Sequence, residues 1–316
     1  MIFVIKFKHV SKKYDGNTVL DDLNLTIETG DLFVLVGPSG SGKTTTLKMI
    51  NQLIKPTTGD IVIEGKNVNE YDLKELRLQM GYVLQNIALF PNLSIDENIS
   101  IQLEALRRPK KERIAIAHDL LEKVGLDPEK YGRRYPHELS GGEQQRIGII
   151  RALASTPKII LMDEPFSALD PISRNQLQEL VLRLHKELQT TFVFVTHDMH
   201  EALRLGDTIA VMKKGQLQQV GSGESILSHP ANSFVDTFFK NEHSENILVK
   251  DLLEHNCFSA GDENANYFRI DQNKPLSQLS KALREHSRVL VSGNQQKKQV
   301  ISIDDLLSYL AQKGDH

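Results

Sequence analysis

Cysteine is nearly absent from this sequence: Cys257 is the only one. An intrachain disulfide is therefore impossible, and the expected compartment is reducing and cytoplasmic. Long hydrophobic runs are missing too. No window approaches the ~18 uninterrupted apolar residues of a membrane-spanning helix, so a membrane role is expected only from one side, through a bound partner. The first run, MIFVIKFKHV, is too short for a secretory signal and alternates as a strand does. A charge excess is also lacking. Lys and Arg total 38 against 41 Asp and Glu, a formal net charge of -3. That balance excludes a chain that grips nucleic acid by overall electrostatics. Neither internal repeats nor low-complexity tracts occur. What remains is an ordinary globular composition, 40% hydrophobic and 25% charged over 316 residues. That length suits one large domain, or a large one with a small one.

Strand signals open the chain. Residues 3–10, 23–28 and 31–37 are short apolar or alternating runs broken by Asp, Asn and Gly. A helix is expected after Gly42, through LKMINQLI. GDIVIEG (59–65) and MGYVLQ (80–85) read as two more strands, and 95–154 turns helical. Strands return at IILMDE (159–164) and FVFVTH (192–197), with helical period over 171–189 between them and Pro171 near its first turn. TIAVMKKGQLQQV (208–220) predicts a hairpin around Lys-Gly. The order predicts an α/β fold with a parallel-sheet core, interrupted by a helical subdomain at about 86–155. The polar stretch KNEHSEN (240–246) predicts a boundary between a domain at 1–240 and a smaller unit at 241–316.

One motif carries chemistry outright. Gly37-Pro38-Ser39-Gly40-Ser41-Gly42-Lys43-Thr44 fits the phosphate-loop pattern G-x-x-x-x-G-K-[ST], with Thr45 next, after an apolar strand and ahead of a helix. Its glycines let backbone N–H groups turn toward phosphates, and the helix N-terminus adds positive potential. Lys43 is expected to reach the β- and γ-phosphates of ATP, and the Thr44 hydroxyl to ligate Mg²⁺. Such a loop needs an acid at a strand end, and IILMDE supplies two. Asp163 is expected in the Mg²⁺ shell. Glu164 is the candidate to polarise the attacking water.

A second phosphate-binding element, LSGGEQQR, lies about a hundred residues on, where Ser140 is expected to cap a helix behind Gly141 and Gly142. The set GPSGSGKTT, LSGGEQQR, IILMDEP, SALD and VTHD resembles the ATP-binding subunit of ABC transporters over roughly residues 2–240. The resemblance implies a P-loop nucleotide-binding domain with an N-terminal antiparallel β subdomain. It implies head-to-tail pairing, each ATP lying between the loop of one copy and the Ser-Gly-Gly of the other. It further implies that Tyr14 stacks on adenine, that Gln85 contacts Mg²⁺ and water, that Asp170 crosses the dimer interface, and that His197 contacts the γ-phosphate. With these motifs intact, an active ATPase is expected.

The resemblance implies partners as well: a second copy or a paralogous ATPase, separate membrane permease subunits, and indirectly an extracytoplasmic substrate-binding protein. The chain would then sit peripherally on the cytoplasmic face of the membrane. The segment NIALFPNLSIDENI is expected to line the groove for a membrane-subunit helix. Phe90, Pro91 and Leu93 read either as that surface or as packing in the helical block. Stretches such as TTTLKMINQLIKPTTGDI and YPHELSGGEQQRIGIIRALA resemble importers of glycine betaine, carnitine and choline. An importer of another solute, such as an amino acid, is the alternative. A non-transport ABC ATPase is a distant one, since only one phosphate loop occurs and no long heptad stretch separates Gln85 from Leu139. In the tail, PLSQLSKALREHSRVLVSG, QVISI and DDLLSYL resemble part of one CBS module, with 249–255 as its start. The tail holds 9 Lys and Arg against 11 Asp and Glu, with Lys297 and Lys298 its only adjacent basic pair. That is little support for reading anionic lipid by charge.

Overall fold

A computed structural model describes residues 3–188, 190–245, 248–255, 257–261, 267–274, 276–292, 299–306 and 309. The chain divides into two compact units, Met1–Val235 and Asp236–His316. No helix among the described residues is long and apolar enough to cross a membrane.

The first unit is built on two sheets. Strands β1 (Phe3–Tyr14), β2 (Asn17–Glu28), β4 (Thr58–Ile63) and β5 (Lys66–Asn67) form an antiparallel sheet in the order β2-β1-β4-β5. The second sheet has six strands: β3 (Leu32–Val36), β6 (Met80–Val83), β7 (Ile159–Asp163), β8 (Thr191–Thr196), β9 (Thr208–Lys213) and β10 (Gln216–Gly221). Its order is β10-β9-β3-β8-β7-β6, parallel throughout except for the β9–β10 hairpin. Every residue of β3, β7 and β8 is buried. That explains their apolar spelling, unbroken in β3 and interrupted only at the ends of β7 and β8, since a strand covered on both faces has no polar face to alternate with. Phe7, Leu23, Ile27, Phe33, Leu35, Leu47 and Val193 belong to one core shared by the two sheets. Each such side chain contributes about 1.5–3 kcal/mol by burial.

Helix α1 (Lys43–Ile50) follows β3, and α2 (Leu73–Leu78) precedes β6. The inserted helical block holds α3 (Ile95–Ala105), α4 (Lys110–Lys123), α5 (Pro128–Tyr131) and α6 (Gly141–Leu153). Helix α7 (Pro171–Leu188) joins β7 to β8, and buries Leu177, Leu180, Val181 and Leu184 at helical spacing. Helix α8 (Met199–Leu205) follows β8, and α9 (Gly223–Ser228) follows β10. The parallel core with its inserted helices is as expected. Two bounds beside the site differ. The helix behind the loop stops at Ile50, short of LKMINQLI's end. β6 stops at Val83, which leaves Gln85 beyond the strand. Gln189 lies outside the described residues.

Helix α10 (Ser233–Glu245) contains the division point between the units. The second unit carries α11 (Val249–Glu254), β11 (Ser259–Ala260), β12 (Phe268–Asp271), α12 (Leu276–Glu285), β13 (Arg288–Ser292) and β14 (Gln299–Ser302). Its sheet runs β11-β14-β13-β12, with only the β12–β13 pair parallel. Val249, Leu252, Leu279, Val289, Ile301 and Tyr309 form its own core. Lys297 and Lys298 lie outside the described residues.

Candidate functional site

The parallel strands place the predicted residues at one edge. Val36 pairs with Thr196, Val195 with Asp163, and Val83 with Met162. The residues after each strand therefore line one carboxyl edge, where open α/β sheets hold ligands. Gly37 follows β3, His197 follows β8, Glu164 follows β7, and Gln85 follows β6 after one residue.

The loop needs its glycines. Gly37, Gly40 and Gly42 have φ of 155°, 76° and 99°. A Cβ on Gly37 would meet the Met212 carbonyl oxygen at 2.1 Å, and one on Gly42 would meet Leu20 Cδ2 at 2.6 Å. Lys43 is 4% exposed. Its Nζ donates to the Gly37 carbonyl at 2.7 Å and the Pro38 carbonyl at 2.9 Å. Burial pulls the ammonium pKa down, and Glu164 and Asp163 pull it back up. Thr44 Oγ1 donates to Asp163 Oδ1 at 2.8 Å, while Lys48 Nζ stands 3.7 Å from Asp163 Oδ2. A hydroxyl and a carboxylate so placed are hard oxygen donors. They fit Mg²⁺, which takes one or two carboxylates and fills the remaining positions with phosphates and water. Asp163 is buried, and beside it the Tyr82 phenol is pushed well above its usual pKa, first by burial and then by the Asp163 charge.

Glu164 sits in an unusual backbone conformation, with φ of +44°. Its N–H donates to the Val195 carbonyl at 3.0 Å. His197 Nδ1 lies 3.0 Å from Glu164 Oε2, so the acid and the imidazole form a pair. A non-glycine residue at positive φ costs energy, and such residues cluster where function holds them.

Ser140, Gly141 and Gly142 form a second locus. Ser140 caps α6 in a full capping box: its Oγ accepts the Glu143 N–H at 3.4 Å, and its own N–H donates to Glu143 Oε2 at 2.8 Å. Tyr131 donates its hydroxyl to Glu143 Oε1 at 2.7 Å. That bond, then the Ser140 N–H, holds the Glu143 carboxyl below its usual range. The S-x-x-E spacing was the sequence signal for Glu143, whereas nothing local marks Tyr131. A Cβ on Gly141 would meet nothing within 4 Å, so this turn is open. Asp170 leads into α7, where its carboxylate accepts from the Ile172 and Ser173 N–H groups at 3.1 and 3.0 Å. The bonds from Ser173 keep its pKa low. A Cβ on Gly142 would stand 3.5 Å from Ser173 Oγ, which puts Asp170 and the Ser-Gly-Gly turn side by side.

Tyr14 ends β1 with 42% of its surface exposed, and the Lys12 ammonium stands 4.6 Å from its ring centroid. Gln85 is exposed. Phe90 and Pro91 are exposed and Leu93 is half-buried. Asn98 fixes that segment, donating to the carbonyls of Phe90, Leu93 and Ser94 at 3.0–3.1 Å. Arg151 of α6 clamps its start, donating to the Ala88 and Ile87 carbonyls at 2.8 and 3.1 Å. Arg151 carries no signal in the sequence, because its partners are backbone atoms that leave no side-chain pattern.

Residues 20–167 match the family described as ABC transporter. The chain is 50% identical over 240 residues to the glycine betaine/carnitine/choline transport ATP-binding protein OpuCA of Bacillus subtilis, covering 76% of this chain and 63% of that one. It is 45% identical over 237 residues to the glycine betaine uptake system ATP-binding protein YehX of Escherichia coli, covering 75% and 76%. The ATP-binding cassette MJ0796, solved as a post-hydrolysis dimer bound to ADP and Pi, superposes with a TM-score of 0.62 at 36% identity, covering 69% of this chain and 98% of that one. The chain spans just under two thirds of the length of the first curated relatives it matches, 63% for OpuCA.

Proposed function

This chain belongs to the ABC transporter family of ATP-binding proteins, and we propose that it hydrolyses ATP to drive import of quaternary amine osmoprotectants. The observation that carries the ATPase reading is the joint placement of Lys43, Thr44, Asp163, Glu164 and His197 on one sheet edge. The substrate class, glycine betaine, carnitine and choline, rests on what OpuCA and YehX are named for.

The loop amides and Lys43 bind the β- and γ-phosphates. Thr44 and Asp163 would hold Mg²⁺, which supplies charge neutralisation on the phosphate oxygens. Tyr14 stacks on adenine. Glu164 orients a water and accepts its proton as the water oxygen bonds the γ-phosphorus and the γ-phosphorus bond to the bridging oxygen breaks, leaving ADP and phosphate. His197 holds the Glu164 carboxylate in line and contacts the γ-phosphate. Ser140 and the N-terminus of α6 in a second copy close over the same nucleotide, with Asp170 at the seam. The segment around Phe90 and Pro91 docks a membrane permease subunit, with Gln85 between the docked helix and the nucleotide. The chain would then sit peripherally on the cytoplasmic face of the membrane.

The experiment is uptake of labelled glycine betaine, carnitine and choline in cells lacking other importers for them, at high and low osmolarity. Wild type should accumulate at least one of the three, and Glu164→Gln none. Equal uptake of all three in both strains rejects the substrate class.

A further inference from the structure

Behind the Glu164–His197 pair lies a buried polar relay that the reaction scheme does not use. Glu201 of α8 is 6% exposed, and Thr196 and Gln178 beside it are buried as well. Thr196 Oγ1 donates to Glu201 Oε2 at 2.6 Å. The same Oγ1 accepts the N–H of Asp198 at 3.0 Å. Asp198 in turn caps α8, its carboxylate accepting from the His200 and Glu201 N–H groups at 2.8 and 3.3 Å. His197 is thus the one residue strung between two fixed points, the end of β8 and the cap of α8.

We propose that Glu201 is the positioning residue of His197: it locks the Thr196 hydroxyl so that Thr196 and Asp198 hold the His197 backbone and aim its ring at Glu164. The inference rests on the reading of His197 as a γ-phosphate contact. A buried carboxyl is costly unless its oxygens are satisfied. Here one oxygen takes the Thr196 hydroxyl and the other faces Gln178 Nε2 at 3.4 Å. Gln178 is itself held by Arg204, whose guanidinium donates to Gln178 Oε1 at 2.9 Å and to Asn175 Oδ1 at 2.8 Å. Burial pushes the Glu201 carboxyl upward, against the Thr196 hydrogen bond. Gln178 and Asn175 lie on α7, the helix that Asp170 caps. Arg174 adds a second tie, donating to the Leu169 carbonyl at 3.2 Å and standing 3.9 Å from Asp198 Oδ2. The turn at Asp170, expected at the seam between copies, and the turn at His197 are therefore braced by one set of side chains. Engagement of Asp170 by a second copy would be felt at the ring that touches the γ-phosphate.

The test uses the full chain with three variants: Glu201→Leu, Glu201→Gln and Thr196→Val. The first readout is the ring-nitrogen NMR resonance of His197 in histidine-labelled protein, identified by its loss in His197→Ala. It should be displaced in both Glu201→Leu and Thr196→Val, and return toward wild type in Glu201→Gln, whose amide oxygen still accepts from Thr196. The second readout is ATP turnover. In Glu201→Leu kcat should fall between about tenfold and a hundredfold, as a misplaced catalytic group does, with KM for ATP nearly unchanged and kcat largely rescued by Gln. A His197 resonance at its wild-type position in Glu201→Leu overturns the proposal, as does displacement in only one of the Leu and Val variants. A rise in KM with kcat intact also overturns it. Absence of turnover in wild type would reject the ATPase reading instead, leaving the resonance to decide the role of Glu201.

Discussion

The imidazole of His197 and the carboxylate of Glu164 meet at 3.0 Å across the ends of two adjacent parallel strands, β7 and β8. Neither residue touches the other in sequence. The pair exists because Asp163 registers with Val195, which brings Glu164 level with Thr196, one residue before His197. Replacing Glu164 by Gln keeps the side chain's shape and removes its charge. Turnover should drop by a factor on the order of 10²–10⁴, the usual weight of a general base, while ATP affinity is retained. The variant should also collect as an ATP-bound dimer. Light scattering at saturating Mg-ATP checks this, and a monomer under those conditions argues against the shared site.

Lys43→Ala should abolish nucleotide binding. The ammonium is buried and bonded to two loop carbonyls, so its removal takes away both the phosphate contact and the brace of the loop. Titration with a fluorescent ATP analogue reads the loss. Wild-type affinity in this variant would refute the assignment of the loop.

Gly37→Ala tests the backbone rather than the chemistry. The new Cβ would lie 2.1 Å from the Met212 carbonyl oxygen, which is backbone and cannot swing aside. The expected cost is about 2 kcal/mol or more, in the range of strained-backbone substitutions. Gly40→Ala meets no atom within 4 Å, so it pays only for its φ of 76°. Chemical denaturation of the two variants should rank Gly37→Ala as the less stable.

Tyr131→Phe should produce a pH-dependent loss. Glu143 carries a carboxyl held below its usual value of 4.5 by the Tyr131 hydroxyl and then by the Ser140 N–H. A depressed pKa means the unfolded state binds more protons at acid pH, so this contribution to stability is full above the usual value and fades as pH falls through the folded one. The difference in unfolding free energy between wild type and Tyr131→Phe should therefore be largest near neutral pH and shrink below about pH 4.5. A difference that is constant with pH would show that Tyr131 acts by packing alone.

The parts of the site that sequence exposed are those where backbone and side chain are read together. GPSGSGKT specifies its own turn, because only glycine tolerates the φ values at 37, 40 and 42. The strands β3, β7 and β8 are legible because they are buried on both faces and spelled in apolar residues but for the ends of β7 and β8. The short helix α2 was not, since six residues make under two turns and leave no periodicity to read. Nor was the six-strand order, which depends on pairings between residues more than a hundred positions apart, such as Val34 with Phe194. Glu201 and Arg151 escaped for the same reason. Their partners are near in space and distant or nondescript in sequence.

The left-handed backbone at Glu164 sets stability against activity at a single position. Glycine or asparagine would sit there with less strain than glutamate. A library randomised at position 164 and selected only for heat resistance should enrich those two residues, and the survivors should not turn over ATP. Survival of glutamate there would then depend on its proposed role as general base, since backbone strain alone favours the other two.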